Sequence, residues 1–80
     1  MDTKFKKLVA ETFEMNIDDV EDNFALDPEG NWDSIAHLSI ISGIDYIYNV
    51  QIRGDDLVEC RNISDIYLLI KKNGSWFLTL

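Results

Sequence analysis

Asp33-Ser34-Ile35-Ala36-His37-Leu38-Ser39-Ile40-Ile41-Ser42-Gly43-Ile44-Asp45-Tyr46-Ile47-Tyr48 decides how the rest of this 80-residue chain is read. Asp33 and Ser34 stand where turn residues end and a helical period begins. Both residue types favour a helix start, because a side-chain oxygen there accepts amide hydrogens that have no intrahelical partner. At about 100° per residue, Leu38, Ile40, Ile41, Ile44, Ile47 and Tyr48 share one broad arc. That arc is wider than a surface helix needs, so the stretch predicts a central helix over 34–48 that touches the others. Ser39, Ser42, Gly43 and Asn49 fall on the opposite side, and Ser42-Gly43 predicts a soft point costing about 1 kcal/mol against alanine. Ile35 and Tyr46 also fall outward, where apolar side chains are candidate docking contacts for a partner.

Upstream, Phe5, Leu8, Val9 and Phe13 recur at helical spacing and predict a first helix, started by Asp2 or Thr3. Lys4, Lys6, Lys7, Glu11 and Glu14 cover its wet side. Between Met15 and Asp33 the period disappears. Ile17, Val20, Phe24 and Leu26 are spaced anchors among acidic residues, and Pro28, Gly30 and Asn31 are turn formers. The reading is a long connection pinned to the core by Phe24, with one helical turn over 18–22. Its acids do not spell a calcium loop, since Trp32 stands where glycine is needed and Leu38 where the bidentate glutamate is needed. No metal is expected.

Downstream, Val50 and Ile52 anchor a second connection, Gly54 turns it, and residues 55–59 predict a short acid-capped helix. Asn62 with Asp65 three residues on predicts a capped final helix carrying Ile63, Ile66, Tyr67 and Ile70. Lys71, Lys72, Asn73 and Gly74 supply the basic last turn and the stop. Residues 75–80, Ser-Trp-Phe-Leu-Thr-Leu, form an apolar tail without a period. The fold class predicted is all-α: a small antiparallel bundle of three main helices plus a short one, a single domain over 1–74.

Seven basic against fifteen acidic residues leave a net charge of −8. That excludes a nucleic-acid backbone as the natural partner and favours surfaces presenting Arg and Lys. The lone Cys60 has no cysteine to pair with and no His or Cys cluster around it, so it reads as a structural thiol. No apolar run has the length of a signal peptide or a membrane span, which predicts a soluble cytoplasmic protein with no membrane partner; a monomer is expected. The two Asn-X-Ser patterns at Asn62 and Asn73 are then chance matches.

Helix, long connection, central helix, short helical segment and final helix, with Asp33-Ser34-Ile35 at the head of the central helix, resemble the acyl carrier and peptidyl carrier protein family. The likeness runs nearly to Gly74. The family pattern is Asp-Ser-Leu, followed by an apolar register that Leu38, Ile41 and Ile44 match and an aromatic position that Tyr48 fills. Ile52 after a short loop and the capping residue Asn62 also match. The resemblance implies that Ser34 is the covalent attachment site for 4′-phosphopantetheine, delivered from coenzyme A by a phosphopantetheinyl transferase. It implies that Asp33 organises that helix end, and that Ile35 and Tyr46 meet partner enzymes. The arm's thiol would hold acyl groups as thioesters for the enzymes that load and use them in fatty-acid, polyketide or related biosynthesis. The protein itself would not be a catalyst. The family also implies shelter for the acyl chain between helices, with Leu38, Ile41, Ile63 and Ile66 as linings.

Two departures qualify the match. Many family members carry a row of acids on the second helix, where this chain offers Asp45 with Ser39, Ser42 and Tyr46 outward. The acids cluster instead between Glu11 and Asp33 and at Asp55, Asp56 and Glu59, so partners tuned to the usual fatty-acid carrier should bind poorly. The apolar tail has no family role. An aminoacyl or peptidyl cargo fits the same pattern. Ser34 as a plain cap would leave a modification-free helical adaptor using Ile35, Tyr46 or Trp76-Phe77 as its contact surface. An enzyme with Ser34 as nucleophile and His37 as base lacks a glycine-rich elbow, an identifiable orienting acid and an oxyanion hole.

Overall fold

Capping residues and apolar periods partition the chain much as its sequence predicts. The computed structural model describes residues 1–73, and Gly74 with the tail over 75–80 lies outside the described residues. The described part is mostly helical: α1 (Thr3–Thr12), α2 (Ser34–Tyr48), α3 (Gly54–Leu57) and α4 (Ile63–Asn73), with a 3-10 turn at Ile17–Asp19 after α1. There is no strand among the described residues. No helix among them is long and apolar enough to cross a membrane.

Each long helix begins on a side chain that answers an amide the helix cannot. Asp2 accepts from the Phe5 amide at 2.9 Å, Asp33 from the Ala36 amide at 2.8 Å, and Asn62 from the Asp65 amide at 2.9 Å. The Asp65 carboxylate reaches back to the Arg61 amide at 3.0 Å, so two side chains answer amides at the head of α4. Glu14 after α1 and Asn49 after α2 take left-handed backbone, φ 53° and 55°, to turn the chain away.

Phe5 and Val9 of α1, Ile40 and Ile44 of α2, Leu57 of α3, and Ile63, Ile66 and Ile70 of α4 are fully buried in one core. The long connection between α1 and α2 is held to the start of α4 by backbone hydrogen bonds. The Leu26 amide donates to the Arg61 carbonyl at 2.9 Å and the Ile63 amide to the Phe24 carbonyl at 3.2 Å. Phe24 also stacks on Phe13, ring centroids 5.3 Å apart, so it is the pin that the sequence predicts.

Two expectations for α2 are corrected. Leu38 is 64% exposed, and the inward stripe is Ala36, Ile40 and Ile44. Gly43 does not face solvent with the serines but lies against α1: a Cβ there would stand 2.3 Å from Leu8 Cδ1. Both corrections have one cause. Ala36 and Gly43 are small, and the flank they form lets α1 approach closely. The helix is thereby rotated so that Leu38 leaves the core.

Candidate functional site

The start of α2 is delivered by a loop that is knitted to itself. Asn31 accepts the Asp27 amide at 2.8 Å and donates to the Ala25 carbonyl at 3.1 Å. The Trp32 and Gly30 amides both donate to the Asp27 carbonyl, at 2.8 and 2.9 Å, and the Asp27 carboxylate takes the Glu29 amide at 3.0 Å. Trp32 then turns inward and is buried, its ring 6.1 Å from Phe13 and 4.9 Å from His37. The contact between the residue before the cap and the fourth helical residue is a staple that sets the entry angle of the chain.

Asp33 follows as the cap, and Ser34 is the exposed first residue of the helix. The first intrahelical bond runs from the His37 amide to the Asp33 carbonyl at 2.9 Å. By position the amides of Ser34 and Ile35 have no carbonyl to meet within the helix, and the partial positive charge of the helix end lies beside the Ser34 hydroxyl. An open pocket of about 470 Å³ adjoins that hydroxyl, lined by Pro28, Trp32, Asp33, Ser34, His37, Leu38 and Val58. Its walls are largely apolar, and Val58 on its edge is 65% exposed.

Two ring nitrogens are left unanswered beneath this pocket. Trp32 Nε1 and His37 Nε2 are buried and have no hydrogen-bond partner. His37 Nε2 is therefore not bonded to the Ser34 hydroxyl, as a general base acting through that atom would require. Unsatisfied buried polar atoms are few in folded proteins, and two of them lie beside the candidate attachment residue.

Ser34 and Asp33 thus share one lip of the pocket, as their adjacency predicts. Ile35, 76% exposed, faces a different shallow depression beside Phe13, Asn31 and Ala36. Tyr46, 91% exposed, lies on a groove with Lys4, Lys7 and Leu8, apart from the Ser34 pocket. Of the four residues proposed to shelter an acyl chain, Leu38 opens on the pocket, Ile41 is half-buried, and Ile63 and Ile66 are sealed in the core. Pro28, Trp32 and Val58 escape the sequence reading. The staple position of Trp32, next to a cap and five residues ahead of His37, the fourth helical residue, is the signal that locates it.

Cys60 is buried and its thiol donates to the Asp56 carbonyl at 3.8 Å. Burial, with Asp65, Asp56 and Glu59 nearby, pushes the thiol up to about 11, which leaves it a structural group rather than a nucleophile. Compared with known protein families, with curated proteins and with solved structures, the chain finds no match in any of the three.

Proposed function

We propose that this chain is a carrier protein of the acyl carrier type, in which the Ser34 hydroxyl takes 4′-phosphopantetheine in phosphodiester linkage. The observation that carries the reading is the placement of Ser34: exposed, first in the central helix, capped by Asp33, and on the lip of an apolar pocket. The residues present suit the group. The helix start offers free amides to a phosphate, and Pro28, Trp32, Leu38 and Val58 offer a surface along which a slender arm can lie. When bound, the arm supplies a thiol on which acyl groups ride as thioesters.

In this reading Ser34 Oγ is the acceptor atom, and Asp33 holds the helix end in shape while a phosphopantetheinyl transferase approaches. Ile35, Leu38 and Val58 form an exposed apolar collar around the serine for the enzymes that load and use the cargo, and Tyr46 is a second contact further along α2. On this reading the helices form a small antiparallel bundle of the carrier type, and the protein works as a cytoplasmic monomer without catalysis of its own. The same collar also suits a modification-free adaptor, so the test must separate the two.

Intact mass before and after incubation with coenzyme A and a broad-specificity phosphopantetheinyl transferase is that test, with Ser34→Ala alongside. A gain of one phosphopantetheine by the wild type, absent from the variant, is the expected result. No gain from the folded protein across several transferases would overturn the carrier reading and return Ser34 to the role of a cap.

A further inference from the structure

Trp32 and His37 both line the pocket beside Ser34, and each holds a buried ring nitrogen without a partner. The two rings lie 4.9 Å apart, centroid to centroid, at 49°. They meet because the residue before the cap of α2 packs on the fourth residue of that helix. Trp32 is fixed, buried with its ring also 6.1 Å from that of Phe13. His37 is half-buried, so its ring is the one with room to turn toward the pocket. A buried donor or acceptor left open is costly, and two that share one pocket point to a group that comes in from outside.

The chemistry of that group follows from the two nitrogens. An indole N–H only donates, so whatever answers it must accept. An imidazole Nε2 donates or accepts according to its tautomer, and a hydroxyl, which does both, answers it in either. A carbonyl oxygen suits one tautomer alone. Water also does both, but it settles where about three polar groups converge, and the walls that share this pocket with the rings are Pro28, Leu38 and Val58. The fitting group is an alcohol flanked by alkyl carbon. In 4′-phosphopantetheine the pantoyl unit has that form: a secondary hydroxyl next to a carbon bearing two methyls, a few bonds from the phosphate.

We propose that the pocket is a seat for the pantoyl unit of an arm attached at Ser34, with its hydroxyl between Trp32 Nε1 and His37 Nε2. Its two methyls then lie on Pro28, Leu38 and Val58, and the phosphate meets the free amides at the head of α2. The Asp33 carboxylate is engaged by the Ala36 amide at 2.8 Å, on the helix side of the cap. The inference rests on the carrier reading and makes Trp32 and His37 positioning residues for the arm. The segment next to the phosphate is held, and the thiol end is left to reach partner enzymes.

The full chain, labelled with ¹⁵N and loaded from coenzyme A by a broad-specificity phosphopantetheinyl transferase, tests this by intact mass and NMR together. The sequence holds two tryptophans, so Trp32→Phe assigns the Trp32 indole signal. On loading, that signal should move downfield and its exchange with solvent should slow about fivefold, as for a donor that gains an acceptor. The His37 Nε2 signal should move with it. A second sample, loaded from coenzyme A whose pantoyl hydroxyl is replaced by hydrogen, should gain mass yet leave the Trp32 signal at its unloaded position. A gain of mass with the indole unmoved would overturn the seat and leave the carrier reading standing. Equal movement with both arms would also overturn it, because the hydroxyl would not be the group that answers the ring. So would an indole signal already downfield in the unloaded chain and unmoved by either arm, which would mean that a resident water answers the nitrogens. No gain of mass would bring down the carrier reading itself, and the seat with it.

Discussion

The two ends of α2 are built on opposite terms. At its last turn Tyr48 gives its hydroxyl to Asp2, which also answers Tyr67 and the Phe5 amide, so one carboxylate ties three helices. At its first turn Ser34 and Ile35 are exposed, Leu38 and Val58 open on a pocket, and two ring nitrogens are buried without a partner. Where polar groups are answered the end is structural. Where they are left open, stability has been given up locally, as happens at functional sites.

The sharpest way to break this comparison is to truncate one large apolar side chain at each end. Phe5→Ala removes a fully buried ring that packs on Tyr67 and should cost about 3–5 kcal/mol, a large share of what a small domain has. Leu38→Ala at the open end should cost less than about 0.5 kcal/mol, as for an ordinary surface position. Urea titration of the two variants measures the contrast. Equal losses would mean that the pocket side is packed as tightly as the tied side.

The carboxylate at the tied end gives the next effect. Tyr48→Phe deletes the 2.6 Å bond to Asp2 and should cost about 1–2 kcal/mol. Burial alone would raise the Asp2 carboxyl, but hydrogen bonds from Tyr48, the Phe5 amide and Tyr67 outweigh it and hold the group below its ordinary 3.8. A carboxyl lowered by folding stabilises the fold while it is ionised in both states. That contribution is present above pH 3.8 and is lost as pH falls from there through the lower folded value. The stability gap between wild type and Asp2→Asn should therefore stay level at neutral pH and narrow below pH 3.8. A gap that widened on acidification would show the tyrosine bonds to be unimportant to the charge of Asp2.

Much of this architecture is legible in sequence because caps are local. Asp2, Asp33 and Asn62 each announce a helix within three residues, and the bounds of α2 follow directly. The rotation of α2 is not local. Apolar weight alone places Leu38 inward and Gly43 outward, yet the close approach of Leu8 to Gly43 depends on another helix and on residues too small to register in an apolar count. The tie between Asp2 and two tyrosines spans 46 and 65 residues, beyond the reach of any spacing rule. At the candidate site Asp33 and Ser34 are legible as a pair, whereas Val58 reaches the pocket through the fold alone.

Trp32→Phe probes the open end from the other direction. The substitution keeps an apolar ring in the staple while removing an N–H that has no partner. Deleting an unsatisfied donor relieves its desolvation cost, and the smaller ring loses burial, two terms of about 1–2 kcal/mol that oppose each other. The melting midpoint should move by no more than about 1 kcal/mol of stability. Removing a polar atom at the tied end hurts, and removing one at the open end does not. A loss as large as that of Tyr48→Phe would mean that the indole N–H is satisfied in solution, and that the open end is better knit than its geometry indicates.

Ser34→Ala should have the smallest effect of all on the fold. Asp33, not Ser34, accepts the Ala36 amide, so the hydroxyl contributes nothing to the cap and its loss should change stability by less than about 0.5 kcal/mol. Asp33→Ala, by contrast, removes the cap acceptor and should cost about 1 kcal/mol. Thermal denaturation of the two variants side by side separates the neighbours. If Ser34→Ala were the more damaging, the serine would be a cap after all and the case for it as an attachment point would weaken. If the order is as expected, a serine with almost no structural role occupies the exposed first position of the central helix, and its chemistry is free to serve something outside the fold.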